Sequence, residues 1–249
     1  MSSILERDVK YLDEQYRLGK AIISDEAFDQ LEKNLQKTYP LCNYFQQKKS
    51  LALPSIKSSN YKQFLKTLRK NTRLSIQPKI DGCAIAIQYL DGRLHKAIKN
   101  DGNDITNKIK NVKNIPSCIP IKRNIQVRGE LYLPNKAGLF SQSITSRYIE
   151  SNIIPKDDFI FCCFQILNGR LNQYESMNYL KKCGFQIPHS YFINNTCQVE
   201  YFRKEWLRGK IFANYPTDGI VIKINSRKLQ FSREINPLKR EEWQYAIKT

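Results

Sequence analysis

A chain of 249 residues, 41% of them hydrophobic and 26% charged, has enough apolar sequence to bury a core in one large domain or two unequal ones, which excludes a disordered protein. No apolar run nears the roughly 18 residues of a membrane span, and residues 1–8 lack the apolar stretch of a secretory signal, so the expectation is a cytoplasmic protein with no membrane partner. Lys and Arg number 41 against 23 Asp and Glu, and a net charge of +18 attracts polyanions.

The charge is uneven. Eleven basic residues and no acidic one lie between Lys33 and Ile80, and six more between Ile105 and Gly129, again with no acid. Such stretches suit a nucleic-acid backbone, although basicity alone reports attraction and reads no sequence. Seven scattered cysteines form no C-x-x-C pair, which argues for free thiols. The two histidines, His95 and His189, are too few and too far apart in sequence to suggest a Ser-His-Asp triad or a multi-histidine metal site.

In chain order, Leu5 to Leu18 reads as a helix ending at Gly19, and Ser24 caps a second helix with Asp25 and Glu26 in its first turn. Phe28, Leu31 and Leu35 give that helix an apolar stripe, and Pro40 ends it. A Lys-, Gln- and Ser-rich loop leads to a short helix from Tyr61 to Leu68. After Asn71 the texture turns to strands. Pro78 and Gly82 predict an irregular backbone around Lys79. Cys83 to Tyr89 alternates, Asp91-Gly92 marks a hairpin turn, and Leu94 to Ile98 returns as its partner. Further strands are expected at Ile125 to Leu133, Phe159 to Leu167 and Gly219 to Ile224, with a helix from Tyr174 to Lys182 ending at Gly184. The fold class is α+β: a small helical N-terminal piece, then a domain of antiparallel sheets.

No Walker A motif and no G-x-G-x-x-G after a strand is present, so a bound nucleotide would be held another way. Lys79-Ile80-Asp81-Gly82 alone is a weak signal, more often met by an exposed turn lysine. Its weight comes from the ordered segments downstream of it: Val127-Arg128-Gly129-Glu130, Phe161 to Phe164, Asp218 to Lys223 and Trp243 to Lys248. Three lysines and several carboxylates on strand ends suit chemistry on a phosphate. An amine attacks only when unprotonated, and further lysines can neutralise charge growing on phosphorus.

This ordered set resembles the motifs of the bacterial NAD+-dependent DNA ligases, over nearly the whole chain. Ile23 to Asp29 is similar to that family's I-S-D-x-E-Y-D signature, with Phe28 in place of tyrosine. Leu53 to Ile56 resembles its M-L-S-L segment. Ala97 to Gly102 resembles A-T-R-G-D-G, with Lys99 for arginine, and Ser146 to Glu150 resembles L-R-Q-L-D. Departures include Gln77 where the family has glutamate, Gln15-Tyr16 for its tyrosine–histidine pair, and no P-R-N-A-A-A-G stretch.

The resemblance implies a helical NMN-binding domain over residues 1–48 and an adenylation domain over 49–249, of ATP-grasp-like nucleotidyltransferase fold. It implies that Lys79 attacks NAD+ to form lysyl-AMP, releasing NMN. Asp81, Glu130, Lys223 and Lys248 then make up the rest of the catalytic set, with Glu130 at the ribose and the two lysines at the α-phosphate. Tyr16, Asp25, Phe28 and Asp29 are implied to hold NMN, and Ser55, Ile56, Gln77, Gly82 and Asp218 the adenosine end. Lys99 and Arg147 would support phosphate, and Mg2+ would assist. The implied substrate is nicked double-stranded DNA. The OB-fold, zinc-finger, helix–hairpin–helix and BRCT segments found further along in the family have no counterpart here. That predicts salt-sensitive DNA binding and weak sealing by these residues alone, with a separate OB-fold or clamp protein as a candidate partner. Two other readings stay open on the departures: a non-catalytic nucleotide- or DNA-binding paralogue, and an ATP- or GTP-dependent RNA ligase or capping-type transferase.

Overall fold

The computed structural model describes residues 4–17, 22–23, 25–39, 42, 44, 56, 58, 60–100, 102–134, 138–151, 158–167, 169–233 and 243–248. The chain divides into two compact units, Met1–Ala52 and Leu53–Thr249.

The first unit contains α1 (Ile4–Arg17) and α2 (Asp25–Thr38). Val9 and Leu35 are fully buried, and Tyr44 ties the pair together. Its backbone N–H donates to Glu6 Oε1 on α1 at 2.8 Å, and its hydroxyl donates to Glu32 Oε1 on α2 at 2.8 Å. Ser24, the expected cap of α2, lies outside the described residues.

The second unit is built on two four-stranded antiparallel sheets. One has the order β6-β1-β7-β8, from Tyr191–Ile193, Leu74–Ile80, Thr217–Ile224 and Gln244–Lys248. The other has the order β3-β2-β4-β5, from Arg93–Lys99, Cys83–Leu90, Ile125–Tyr132 and Ile160–Ile166. Asp91 and Gly92 both take positive φ, 46° and 76°, which suits the tight β2–β3 hairpin turn.

Strand alternation assigns each face. In the first sheet Leu74, Ile76, Ile220, Ile222, Ile224, Tyr245 and Ile247 pack into one core with α3 (Tyr61–Lys66) and residues of the later helix Val199–Leu207. In the second, Ile85, Ile87, Tyr89, Val127, Leu131 and Phe161 form another core. That core also takes Ile109 of α4 (Thr106–Ile109), Tyr148 of α5 (Gly138–Glu150), and Met177 and Leu180 of α6 (Gln173–Lys182). The helix Val199–Leu207 is α7, and α8 is Arg227–Phe231.

The remaining faces of the two sheets are polar and meet one another. Lys223 Nζ of β7 donates to the Phe164 carbonyl of β5 at 3.2 Å, and Ile80 of β1 packs with Tyr132 of β4 and Cys162 of β5. Ser75, Gln77, Lys223 and Gln244 from one sheet, with Arg128 and Gln165 from the other, are all buried.

One expectation is corrected. The backbone around Lys79 is not irregular: β1 runs through Pro78 and Lys79 to Ile80. Pro78 is tolerated because β6 pairs only with residues 74–76, so the missing N–H falls where one flank of β1 has no partner strand. The irregularity is on the neighbour. The β1–β7 register passes from Lys79↔Gly219 to Ile80↔Thr217, leaving Asp218 as the extra residue of a bulge.

Candidate active site

The register of the first sheet stacks its inward residues in three rungs. Ser75, Lys223 and Gln244 form the deepest, Gln77, Val221 and Ala246 the next, and Lys79, Gly219 and Lys248 the outermost. Lys79 and Lys248 are therefore the two flanks of Gly219. A Cβ on Gly219 would collide with the Ile247 carbonyl, so only glycine lets β8 lie this close. The bulge turns Asp218 onto the same face. Its Oδ1 accepts from Lys79 Nζ at 2.7 Å and its Oδ2 from Lys248 Nζ at 2.9 Å. Burial alone would raise the Asp218 pKa, but the hydrogen bonds and charges of the two ammonium groups outweigh it and hold the carboxyl below its usual range.

Asp81 and Gly82 carry the chain from the first sheet to the second. The Asp81 N–H donates to the Pro216 carbonyl at 2.8 Å, and burial, then the nearby Asp218 charge, raise the Asp81 carboxyl. A Cβ on Gly82 would strike the Leu131 carbonyl, so glycine is again needed for close approach, here of β2 to β4. Glu130 of β4 accepts from the Gly82 N–H. Removal from water pushes its pKa up to about 8, against the opposing pull of Arg128 and Lys79. Near neutral pH this side chain holds its proton and can both donate and accept.

The deeper residues are held differently. Lys223 is 2% exposed, and its ammonium lies 4.6 Å from the centre of the Phe164 ring as well as on the Phe164 carbonyl. It lies four residues on from Gly219, about 13 Å along the strand. Gln77 is 1% exposed and gives its amide N–H groups to Ser190 Oγ at 2.9 Å and Met177 Sδ at 3.4 Å. Lys99, at the end of β3, pairs with Glu150 at 3.3 Å. Arg147 is exposed on α5, three residues before that glutamate.

Lys79, Asp81, Gly82, Glu130, Asp218 and Lys248 thus come together, with Gln77 and Lys223 further in and Lys99 and Arg147 near the β3–α5 edge. Phe28 is part-buried on α2 and Ile56 part-buried in the second unit. Ser55 and the side chains of Tyr16, Asp25 and Asp29 lie outside the described residues. Arg128 is a member of the site that sequence reasoning missed. It is 5% exposed, beside the Phe164 ring at 5.9 Å and close enough to Glu130 to lower its pKa. The available signal was its place two residues before Glu130 on the same strand face. Ser190 and Gln244 carried no comparable signal. Among the described residues no group of three or more His, Cys, Asp or Glu could hold a metal ion.

Two antiparallel sheets with a lysine where the chain crosses between them make a fold shared with solved DNA and RNA ligases. Solved structures agree on the fold. A Lig E DNA ligase superposes with a TM-score of 0.52 at 13% identity, covering 80% of this chain and 69% of that one. An archaeal ATP-dependent RNA ligase gives 0.52 at 13%, covering 80% and 48%. Sequence narrows the class. Residues 26–143 match the NAD-dependent DNA ligase adenylation domain. The DNA ligase of Petrotoga mobilis is 30% identical over 92% of this chain, and that of Thermotoga maritima 26% over 98%. The chain is thus similar to the NAD-dependent DNA ligases over their adenylation domain. It spans less than half the length of these relatives, 42% and 44% respectively.

Proposed function

We propose that this chain carries out the adenylyl half-reaction of a NAD+-dependent DNA ligase, with Lys79 as nucleophile. Lys79 Nζ forms a bond to the adenylyl phosphorus of NAD+. The bond from that phosphorus to the bridging oxygen breaks, NMN leaves with the electron pair, the amine gives up a proton, and a lysyl-AMP phosphoramidate remains. The observation that carries this reading is the Lys79–Asp218–Lys248 arrangement at the mouth of the inter-sheet face.

Asp218 orients Lys79 Nζ and is the nearest acceptor for the proton it loses. Lys248 brings a cation to the edge where negative charge grows on the phosphate. Glu130 is suited to a ribose hydroxyl, which offers both a donor and an acceptor. Gln77 commits its N–H groups to Ser190 and Met177, leaving its carbonyl oxygen for an adenine amine. Lys223, Asp81, Gly82, Ser55, Ile56, Lys99 and Arg147 complete the proposed adenylate site. Tyr16, Asp25, Phe28 and Asp29 are proposed to hold NMN.

Mg2+ fits this donor set only in part. Asp218 is committed to two lysines and Glu130 holds its proton near neutral pH, which leaves Asp81. One or two carboxylates together with substrate phosphates is the usual Mg2+ arrangement. A bound ion would supply charge neutralisation at the phosphate. Transfer of AMP onward to the 5′-phosphate of nicked double-stranded DNA, aided by an OB-fold or clamp protein, is the proposed use of the adduct.

The test is incubation with NAD+ and Mg2+ followed by intact mass. One AMP adduct is expected from NAD+, none from ATP, and none in Lys79→Ala. An adduct that persists in Lys79→Ala, or one formed from ATP alone, overturns the reading.

A further inference from the structure

At the end of the first sheet away from Lys79, three segments enclose a polar cleft of about 610 Å³. They are Arg73 before β1, the stretch from Arg170 to Asn172 before α6, and Asn225 to Arg227 after β7. Asn225 fixes their arrangement. Its N–H donates to the Arg73 carbonyl at 3.0 Å, its carbonyl accepts from Gln173 N–H at 3.0 Å, and its Oδ1 accepts from Tyr174 N–H at 2.9 Å. Arg227 Nε donates to the Gly169 carbonyl at 3.1 Å. The cleft is thus a braced part of the fold and not a chance gap between loops.

Three guanidinium groups line it against one carboxylate, Glu175, whose Oε2 accepts from the Asn172 N–H in a capping box. Arg73 and Arg170 are exposed and form no ion pair with a described carboxylate. Exposed aromatic rings lie beside residues that line the cleft. Phe192 lies opposite Ser75 in the β1–β6 register and meets Tyr174 edge-on at 5.1 Å, the two being 39% and 53% exposed. Phe231, 70% exposed, lies 6.0 Å from the Arg227 guanidinium.

Planar guanidinium forks suit phosphate oxygens, and water-exposed aromatic faces suit unpaired bases. A duplex hides its base faces in its own stack and could use only the arginines. We infer that this cleft binds single-stranded nucleic acid, phosphates on Arg73, Arg170 and Arg227 and bases on Tyr174 and Phe192. The six residue steps from Arg73 to Lys79 along β1 span about 20 Å, so the cleft does not hold the reacting phosphate. It takes an unpaired segment remote from it. This inference does not rest on adenylyl transfer, because binding is read without any nucleotide cofactor.

The test is anisotropy of a labelled oligothymidylate with the full chain, at about 50 mM and about 200 mM salt, with a duplex of equal length in parallel. Arg73→Ala/Arg170→Ala is expected to weaken oligothymidylate binding at least tenfold and to reduce the slope of log K against log salt by about 1.4, roughly 0.7 for each phosphate no longer neutralised. Tyr174→Ala is expected to weaken it at least about fivefold, Tyr174→Trp to retain it, and both to leave duplex affinity within about twofold. Undetectable oligothymidylate binding by the unsubstituted chain overturns the inference. So does unchanged affinity in the double arginine variant, or a loss in Tyr174→Ala that is as large for duplex as for single strand.

Discussion

Asp218 holds two lysines with one carboxylate, and Glu130 keeps a proton that an ordinary glutamate gives up. Both have consequences that can be measured. Asp218→Asn removes a charged acceptor from Lys79 and is expected to slow self-adenylation at least tenfold, the scale of a charge-assisted hydrogen bond; single-turnover intact mass reads it. Glu130 has a folded pKa of about 8 against an ordinary 4.5. Between those values the folded chain holds a proton that the unfolded chain has lost, so its contribution to stability falls as pH rises through the interval. Glu130→Gln removes that cost. Melting curves at about pH 5 and about pH 9 should show the variant gaining on the parent at the higher pH, and a constant difference would contradict the buried-acid description. Gly219→Ala is expected to cost about 1–3 kcal/mol by forcing β8 from β7, read as a lower Tm, and to impair adenylation by parting Lys79 from Lys248.

At the scale of elements, the β7 bulge and the sheet-to-sheet crossing at Asp81-Gly82 build the site, and neither is a motif in itself. The bulge brings Asp218 to the Lys79 face, where plain alternation would place it opposite. On α2 the expectation concerns Asp25 and Asp29. Alanine at either is expected to lower adenylation from NAD+ at least tenfold, through loss of a charged partner for nicotinamide. AMP transfer from pre-adenylated protein should be unaffected, and equal losses in both steps would make the helix merely structural. The helices and strands themselves were largely legible. The α2 stripe, the β2–β3 hairpin, β4, β5, β7 and α6 carried plain periodic signals. Missed were β6, α4, α5, α7 and α8: β6, α4 and α8 are three, four and five residues long, too short for a period to show, and no expectation covered the thirteen-residue α5 or the nine-residue α7.

At the scale of the whole molecule, the net charge of +18 predicts duplex DNA binding that is independent of sequence and falls steeply between about 50 and 200 mM salt, as phosphate contacts release counterions. A filter-binding series across that range checks it, and a flat response would show that the basic surface is not a DNA surface. By itself the sequence singled out the mix of helices and antiparallel sheets, Lys79 and most of the carboxylates and lysines that the structure gathers around it, because each lies in a short local pattern whose order along the chain is distinctive. Only the tertiary structure decided how those companions are held. The pairing of Asp218 with both lysines depends on register across three strands. Glu130 keeps its proton because the surrounding chain keeps water from it. Arg128 becomes a neighbour of the site through the packing of one sheet on another, and Ser190 and Gln244 through the pairing of strands within the first sheet. Register, burial and sheet packing join residues from distant stretches of chain, and no local pattern of residue types encodes them.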